Sequence, residues 1–243
     1  TVIMDYYRDS EDGQAQADLN RLMDGTFSNQ EAGMPEGTVH SELLRRPGKL
    51  YVLASHFHPD HFNKEVLQWR EQRPDIIYIF SKDILRHRRA QKEDAVWLKK
   101  GEEYKDETLS VRAFGSTDVG VSFLLQASGK KIFHAGDLNN WHWMDESTEA
   151  EWKGAEKNFL HELDDLYAYT PEVDVAMFPV DPRLGKEYMR GAGQFVTKIK
   201  THIFVPMHFT PEYAKANAFR DFAEAHGVRF VSLTHRGQKI EKE

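Results

Sequence analysis

The chain has 243 residues, 40% of them apolar and 29% charged, which suits a globular α/β domain with a substantial core. It contains no cysteine, so disulfides, thiolate metal ligands and thiol nucleophiles are excluded. A net charge of −7 disfavours nucleic acid as a partner, and no apolar run approaches the ~20 residues of a membrane-spanning helix.

In chain order, residues 1–7 read as a buried strand running into a polar loop. No basic-then-apolar leader precedes it, so a cytoplasmic location is expected. Residues 8–38, rich in Asp, Gln, Gly and Asn, read as a long surface excursion with one short helix. An apolar run at 50–54 reads as a buried strand feeding a His-rich turn at 55–62. A helix should start at Asn63, a good N-cap, and end before Pro74. A second buried strand at 76–80 leads into a basic helix at about 81–90. Strands are expected at 96–98, 108–114, 119–127 and 131–134.

The second half changes character. The capping box Thr148-x-x-Glu151 opens a helix over 148–168, with Trp152, Ala155, Phe159 and Leu163 at helical spacing. Strands at 173–178, 202–207 and 228–233 alternate with helices at 186–199 and 210–227, the last ended by Gly227. The whole reads as antiparallel strands with inserted helices, then alternating helix and strand. One domain over 1–243, ending in a charged fray, is the economical reading.

Three of the 12 histidines fall in Ser55-His56-Phe57-His58-Pro59-Asp60-His61-Phe62. In an extended segment, residues two apart point the same way, so His56 and His58 can present imidazoles to one point. Pro59 then bends the chain, and Asp60 and His61 reach a second point nearby. Neutral imidazole and carboxylate suit Zn²⁺, Fe²⁺ or Mn²⁺. Two distant strands support a metal site: 132–137 ends in Gly136-Asp137, and 203–208 ends in His208. Strand ends are rigid platforms for convergent ligands.

The order His-x-His-x-Asp-His, then strand–Gly-Asp, then strand–His, resembles the metallo-β-lactamase superfamily over residues 1 to about 235. The phrases Phe-His-Ala-Gly-Asp and Pro-Met-His resemble its branch of metal-dependent hydrolases that includes the ascorbate-phosphate lactonase. The resemblance implies a four-layer αββα sandwich with metals at one edge, between two β-sheets. By the same resemblance, His56 and His58 would hold the first metal; Asp60, His61 and His208 would hold the second; Asp137 would bridge them. A hydroxide between the ions would be the nucleophile, and Asp60 would orient it or pass a proton to the leaving group. One or two divalent ions are implied, zinc first, with manganese or iron as alternatives.

The sequence departs from the family in two places. Most members carry a further His in a Gly-His-Thr or Gly-His-Ser turn, whereas this chain reads Phe114-Gly115-Ser116-Thr117-Asp118. Three readings follow: Asp118 replaces the imidazole in a harder site, the first site is weak or empty, or catalysis has been lost and the fold kept. A turn carboxylate capping its own backbone is the structural alternative for Asp118. The second departure is that Asp5-Tyr6-Tyr7 arrives with no preceding hairpin, leaving an edge strand whose exposure would favour a homo-oligomer.

Around this core, Trp141 and His142 after the Gly-Asp turn are candidates for a substrate pocket, and His134 for a supporting role beneath Asp137. Arg183 is a candidate contact for an anionic substrate. The basic run Arg86-His87-Arg88-Arg89 reads more simply as a solvated helix face. The function expected is hydrolysis of an ester or lactone of a small molecule that carries a phosphate in one version of the reading. A phosphodiesterase or nuclease of the same fold, as in ribonuclease Z, and a non-catalytic metal-binding relic are the alternatives.

Overall fold

The computed structural model describes residues 1–6, 37–39, 41–209 and 211–240. The excursion expected at 8–38 therefore lies almost wholly outside the described residues, as do 241–243. The strands are β1 (Val2–Met4), β2 (Tyr51–Ala54), β3 (Ile77–Ser81), β4 (Val96–Leu98), β5 (Glu103–Lys105) and β6 (Ser110–Phe114). They continue with β7 (Ser122–Ala127), β8 (Lys130–His134), β9 (Glu172–Pro179), β10 (Lys200–Met207) and β11 (Arg229–Phe230). One sheet runs β1-β2-β3-β4 and the other β11-β10-β9-β8-β7-β6-β5.

The first sheet corrects the antiparallel expectation: β1 through β4 pair in parallel throughout. Residues between β2 and β3 form the crossover, and both strands are almost wholly buried, which fits a parallel sheet covered on two faces. In the second sheet, β8, β9, β10 and β11 are parallel, while β5 to β8 form an antiparallel meander.

Alternation along the strands sorts the side chains into layers. Tyr51 and Leu53 pack between the sheets with Val111, Ala113, Phe123 and Leu125. Val52 and Ala54 face the other way and join Val66, Trp69 and Ile84 of the helical segments. In β7, Leu124 likewise turns outward to meet Phe159, Leu163 and Phe195 of the helices Glu149–Tyr169 and Arg190–Lys198. The result is helix, sheet, sheet, helix.

Local signals explain most element ends. Thr148 accepts the Glu151 N–H while Glu151 accepts the Thr148 N–H, closing the expected capping box on Glu149–Tyr169. Asn63 Oδ1 accepts the Glu65 N–H, but the helix there is short, Glu65–Gln68 followed by a 3-10 turn Trp69–Glu71. The basic helix spans only Lys82–Arg86, because Arg88 enters the left-handed region at φ 55°. Residues expected to start one helix at 186 instead form a 3-10 segment Pro182–Glu187, kinked at Gly185 (φ 76°), before Arg190–Lys198 begins.

The helix expected at 210–227 is two helices, Tyr213–Asn217 and Arg220–Ala225. Between them the Phe219 N–H donates to Ala216 O, three residues back, which tightens the turn. Among the described residues, no helix is long and apolar enough to cross a membrane.

Candidate metal centre

Each element that reaches the site delivers its residue just beyond a strand's C-terminal end. Asp5 follows β1, His56 follows β2, Asp137 follows β8, Asp181 follows β9 and His208 follows β10. β1 and β2 are parallel in the first sheet, as are β8, β9 and β10 in the second, so these ends gather at one edge of the sandwich. Two of these residues, Asp5 (φ 46°) and His208 (φ 61°), hold left-handed backbone although neither is glycine. Such strain costs on the order of 1–3 kcal/mol each and persists where surrounding structure enforces it.

Asp137 is the centre of the arrangement. Its Oδ2 lies 3.3 Å from His56 Nε2, whereas its Oδ1 lies 3.1 Å from His61 Nε2 and 3.4 Å from His208 Nε2. Two ligand clusters result. In each, one donor atom per residue lies within 4.8 Å of the rest: His56, His58, Asp118 and Asp137 on one side, and Asp60, His61 and His208 on the other.

The imidazoles are held by what sits behind them. The His61 Nδ1–H donates to Asp5 Oδ2 at 2.7 Å, and the His208 Nδ1–H donates to Asp181 Oδ2 at 2.8 Å. Each bond fixes the ring and leaves its Nε2 facing Asp137. The His56 Nδ1–H donates to Ser55 Oγ at 3.0 Å, and that hydroxyl donates to Asp5 Oδ2 at 2.6 Å. One buried carboxylate therefore stands behind both His56 and His61. Glycines make room for this turn: at Gly120 (φ 75°), a Cβ would lie 2.2 Å from Ser55 O and 2.4 Å from His56 Cβ.

The electrostatics follow from this packing. Burial alone would raise the Asp5 carboxyl, but His134 and His61 beside it and the hydrogen bonds it accepts hold it well below the usual range. Burial opposes ionisation of Asp137 too, and the surrounding His56, His61 and His208 outweigh it, leaving its carboxyl strongly depressed. For His61, burial pulls downward, and the carboxylates of Asp5 and Asp137 override it to about 11. Asp181, buried but bonded to His208 and Arg183, is lowered to about 2.

These residues fit divalent ions on two observations. Asp137 Oδ1 is buried and accepts no hydrogen bond, an uncommon condition for a carboxylate oxygen. His56 Nε2, whose ring proton is on Nδ1, faces His58 Nδ1 at 3.0 Å and Asp137 Oδ2 at 3.3 Å. Two imidazole nitrogens and a carboxylate oxygen thus converge on one point, with Asp118 beside them, the donor types that a divalent cation takes.

The remaining candidates separate. His142 is corrected: it is 1% exposed, its Nδ1 accepts the Met144 N–H, and its Nε2 bonds Glu187 O. Both ring nitrogens are used, so it braces the loop, and the cavity beside Asp60 and His208 is lined by other residues. Trp141 is part-buried, donates from Nε1 to Asp137 O at 2.8 Å, and meets the His208 ring edge to face with the centroids 5.5 Å apart. It walls the site.

Arg183 is bound to Asp181 through Nε and a terminal nitrogen, yet its side chain is 64% exposed beside a cavity of about 510 Å³. That cavity also meets Asp60, His61 and His208. His134 is buried, accepts the Gly136 N–H on Nδ1, and is pushed down by burial despite Asp5. Asp5 and Asp181 went unrecognised as supports in the sequence. The available signal was that each follows an apolar strand, as Asp137 does.

A family model, the beta-lactamase superfamily domain, matches residues 34–209. The chain belongs to the metallo-β-lactamase superfamily. Comparison with curated protein sequences returns no match.

Solved structures share the fold at low identity. Igni18, a metallo hydrolase from the hyperthermophilic archaeon Ignicoccus hospitalis, superposes with a TM-score of 0.57 at 16% identity, covering 85% of each chain. YhfI, a metallo-β-lactamase fold protein from Bacillus subtilis, gives 0.52 at 11% identity, covering 90% of this chain and 82% of its own. CmlA β-hydroxylase, as an E377D mutant, gives 0.53 at 14% identity, covering 79% of this chain and 44% of its own. The fold is thus shared by proteins of different named chemistry.

Proposed function

We propose that the protein hydrolyses an ester or lactone of a small anionic molecule, using ions held by His56, His58, Asp60, His61, Asp137 and His208. The observation that carries this reading is Asp137, whose two oxygens face separate sets of imidazoles across one buried carboxylate. Divalent ions in these positions lower the pKa of water toward neutrality and polarise a carbonyl oxygen. The chain's own residues do the rest.

Asp5 and Asp181 keep His61 and His208 in one tautomer and one orientation. Asp60, with its side chain 54% exposed at the cavity, would accept the proton given up by the attacking water and pass it to the departing alkoxide. Arg183, at the same cavity, would meet a carboxylate or phosphate on the substrate. A volume of about 510 Å³ suits a small molecule, with Met177, Val205 and Met207 supplying apolar contact.

The test is a panel of lactones and carboxylic esters, with and without a phosphate, run beside a phosphodiester on metal-loaded protein. The reading expects turnover of an ester or lactone, abolished in His61→Ala. Turnover of the phosphodiester alone would replace it with the nuclease alternative.

A further inference from the structure

The first ligand cluster contains a residue whose position is more constrained than its place in a loop suggests. Asp118 Oδ2 lies 3.7 Å from His58 Nδ1, and its donor atom falls within 4.8 Å of those of His56, His58 and Asp137. The loop is pinned on both sides of it. Thr117 Oγ1 donates to Asn139 O at 2.5 Å and accepts the Asn139 N–H at 3.0 Å, tying the loop to the segment that carries Asp137.

On the other side, Gly120 lies against His56, and the Val121 N–H donates to Ser55 O at 3.0 Å. Within the loop the Ser116 hydroxyl accepts the Asp118 N–H at 3.3 Å. Among the described residues, the Asp118 carboxylate accepts no backbone N–H, so it is not capping its own turn.

We propose that Asp118 is the terminal carboxylate ligand of the first metal, in the place where the superfamily pattern expects an imidazole. The proposal rests on the reading above that ions bind about Asp137. It makes the two sites alike in donor type, each with two imidazoles, one partly exposed carboxylate and a share of Asp137. Exchanging a nitrogen donor for a carboxylate oxygen hardens the first site. Zinc's advantage over manganese there is narrowed.

The test uses the chain stripped with chelator, loaded with Mn²⁺ or Zn²⁺, desalted and analysed for metal per chain. Circular dichroism checks that Asp118→Asn and Asp118→His remain folded. The expected result is two manganese equivalents in the wild type and one in Asp118→Asn. Asp118→His should recover two equivalents with zinc, and in competition should show a larger zinc-to-manganese affinity ratio than the wild type. Two equivalents in Asp118→Asn at wild-type affinity, or a single equivalent in the wild type, would overturn the assignment of Asp118. No uptake by the wild type under any loading would instead remove the metal reading on which it rests.

Discussion

The two sides of Asp137 are built from similar ligands but set in different surroundings. On the side of His61 and His208, each imidazole is backed by a buried carboxylate, Asp5 or Asp181, and the rings are 8% and 15% exposed. On the other side, His56 is backed by a neutral hydroxyl, and His58 and Asp118 are 36% and 44% exposed. A carboxylate behind an imidazole raises its basicity and fixes its direction, and burial protects the pair from screening. The account therefore predicts a tight site about His208 and a looser one about His58.

The largest expected effect comes from removing what both sides share. Asp137→Ala should lose both ions and all hydrolysis, seen by elemental analysis on folded protein. If that variant kept one ion at wild-type affinity, the shared-carboxylate picture would be wrong.

Next, Asp5→Asn keeps the volume and one hydrogen-bond acceptor but removes the charge behind His61. Loss of such support typically costs about 10–100-fold in metal affinity. Here the loss should fall on the tight site more than the loose one, as competition with a chromogenic chelator would show. Equal losses on both sides would indicate that the Ser55 relay to His56 matters as much as the direct bond to His61.

A third prediction concerns protons. The imidazole of His61 is raised to about 11, above its ordinary value of about 6.5. In chelator-stripped protein the pairing of His61 with Asp5 and Asp137 thus stabilises the fold fully below about 6.5, and this contribution is lost as pH rises through about 11. Metal needs the neutral ring, so uptake at pH 7 should release a proton and strengthen as pH rises. Calorimetry in buffers of different ionisation enthalpy measures that release; heats independent of buffer would contradict it.

The smallest effect is a control remote from both sides. Thr148→Ala removes the cap of Glu149–Tyr169 and should cost about 1 kcal/mol of stability by urea unfolding. Metal content should not change.

The contrast also marks what the sequence made legible. His56, His58, Asp60 and His61 could be read because their spacing is local, and Asp137 and His208 because each terminates an apolar strand. Asp5 and Asp181 became supports only when parallel pairing brought β1, β9 and β10 to a common edge with β2 and β8. Each follows an apolar strand, which marks a strand end but not the imidazole that it comes to stand behind. The apolar runs 50–54 and 76–80 with helical sequence between them are the signal of the parallel first sheet, and the strand-rich sequence that follows them masks it. For His142, proximity to a ligand in sequence says nothing about which way a loop turns. Here the loop folds inward, and both of its ring nitrogens bond to backbone.

The inequality of the two sides is tested most directly by titrating chelator-stripped protein with Zn²⁺ in a calorimeter. The account predicts two steps, the tighter one abolished by His208→Ala and the weaker one by His58→Ala. A tight step that survives His208→Ala and disappears in His58→Ala would contradict it.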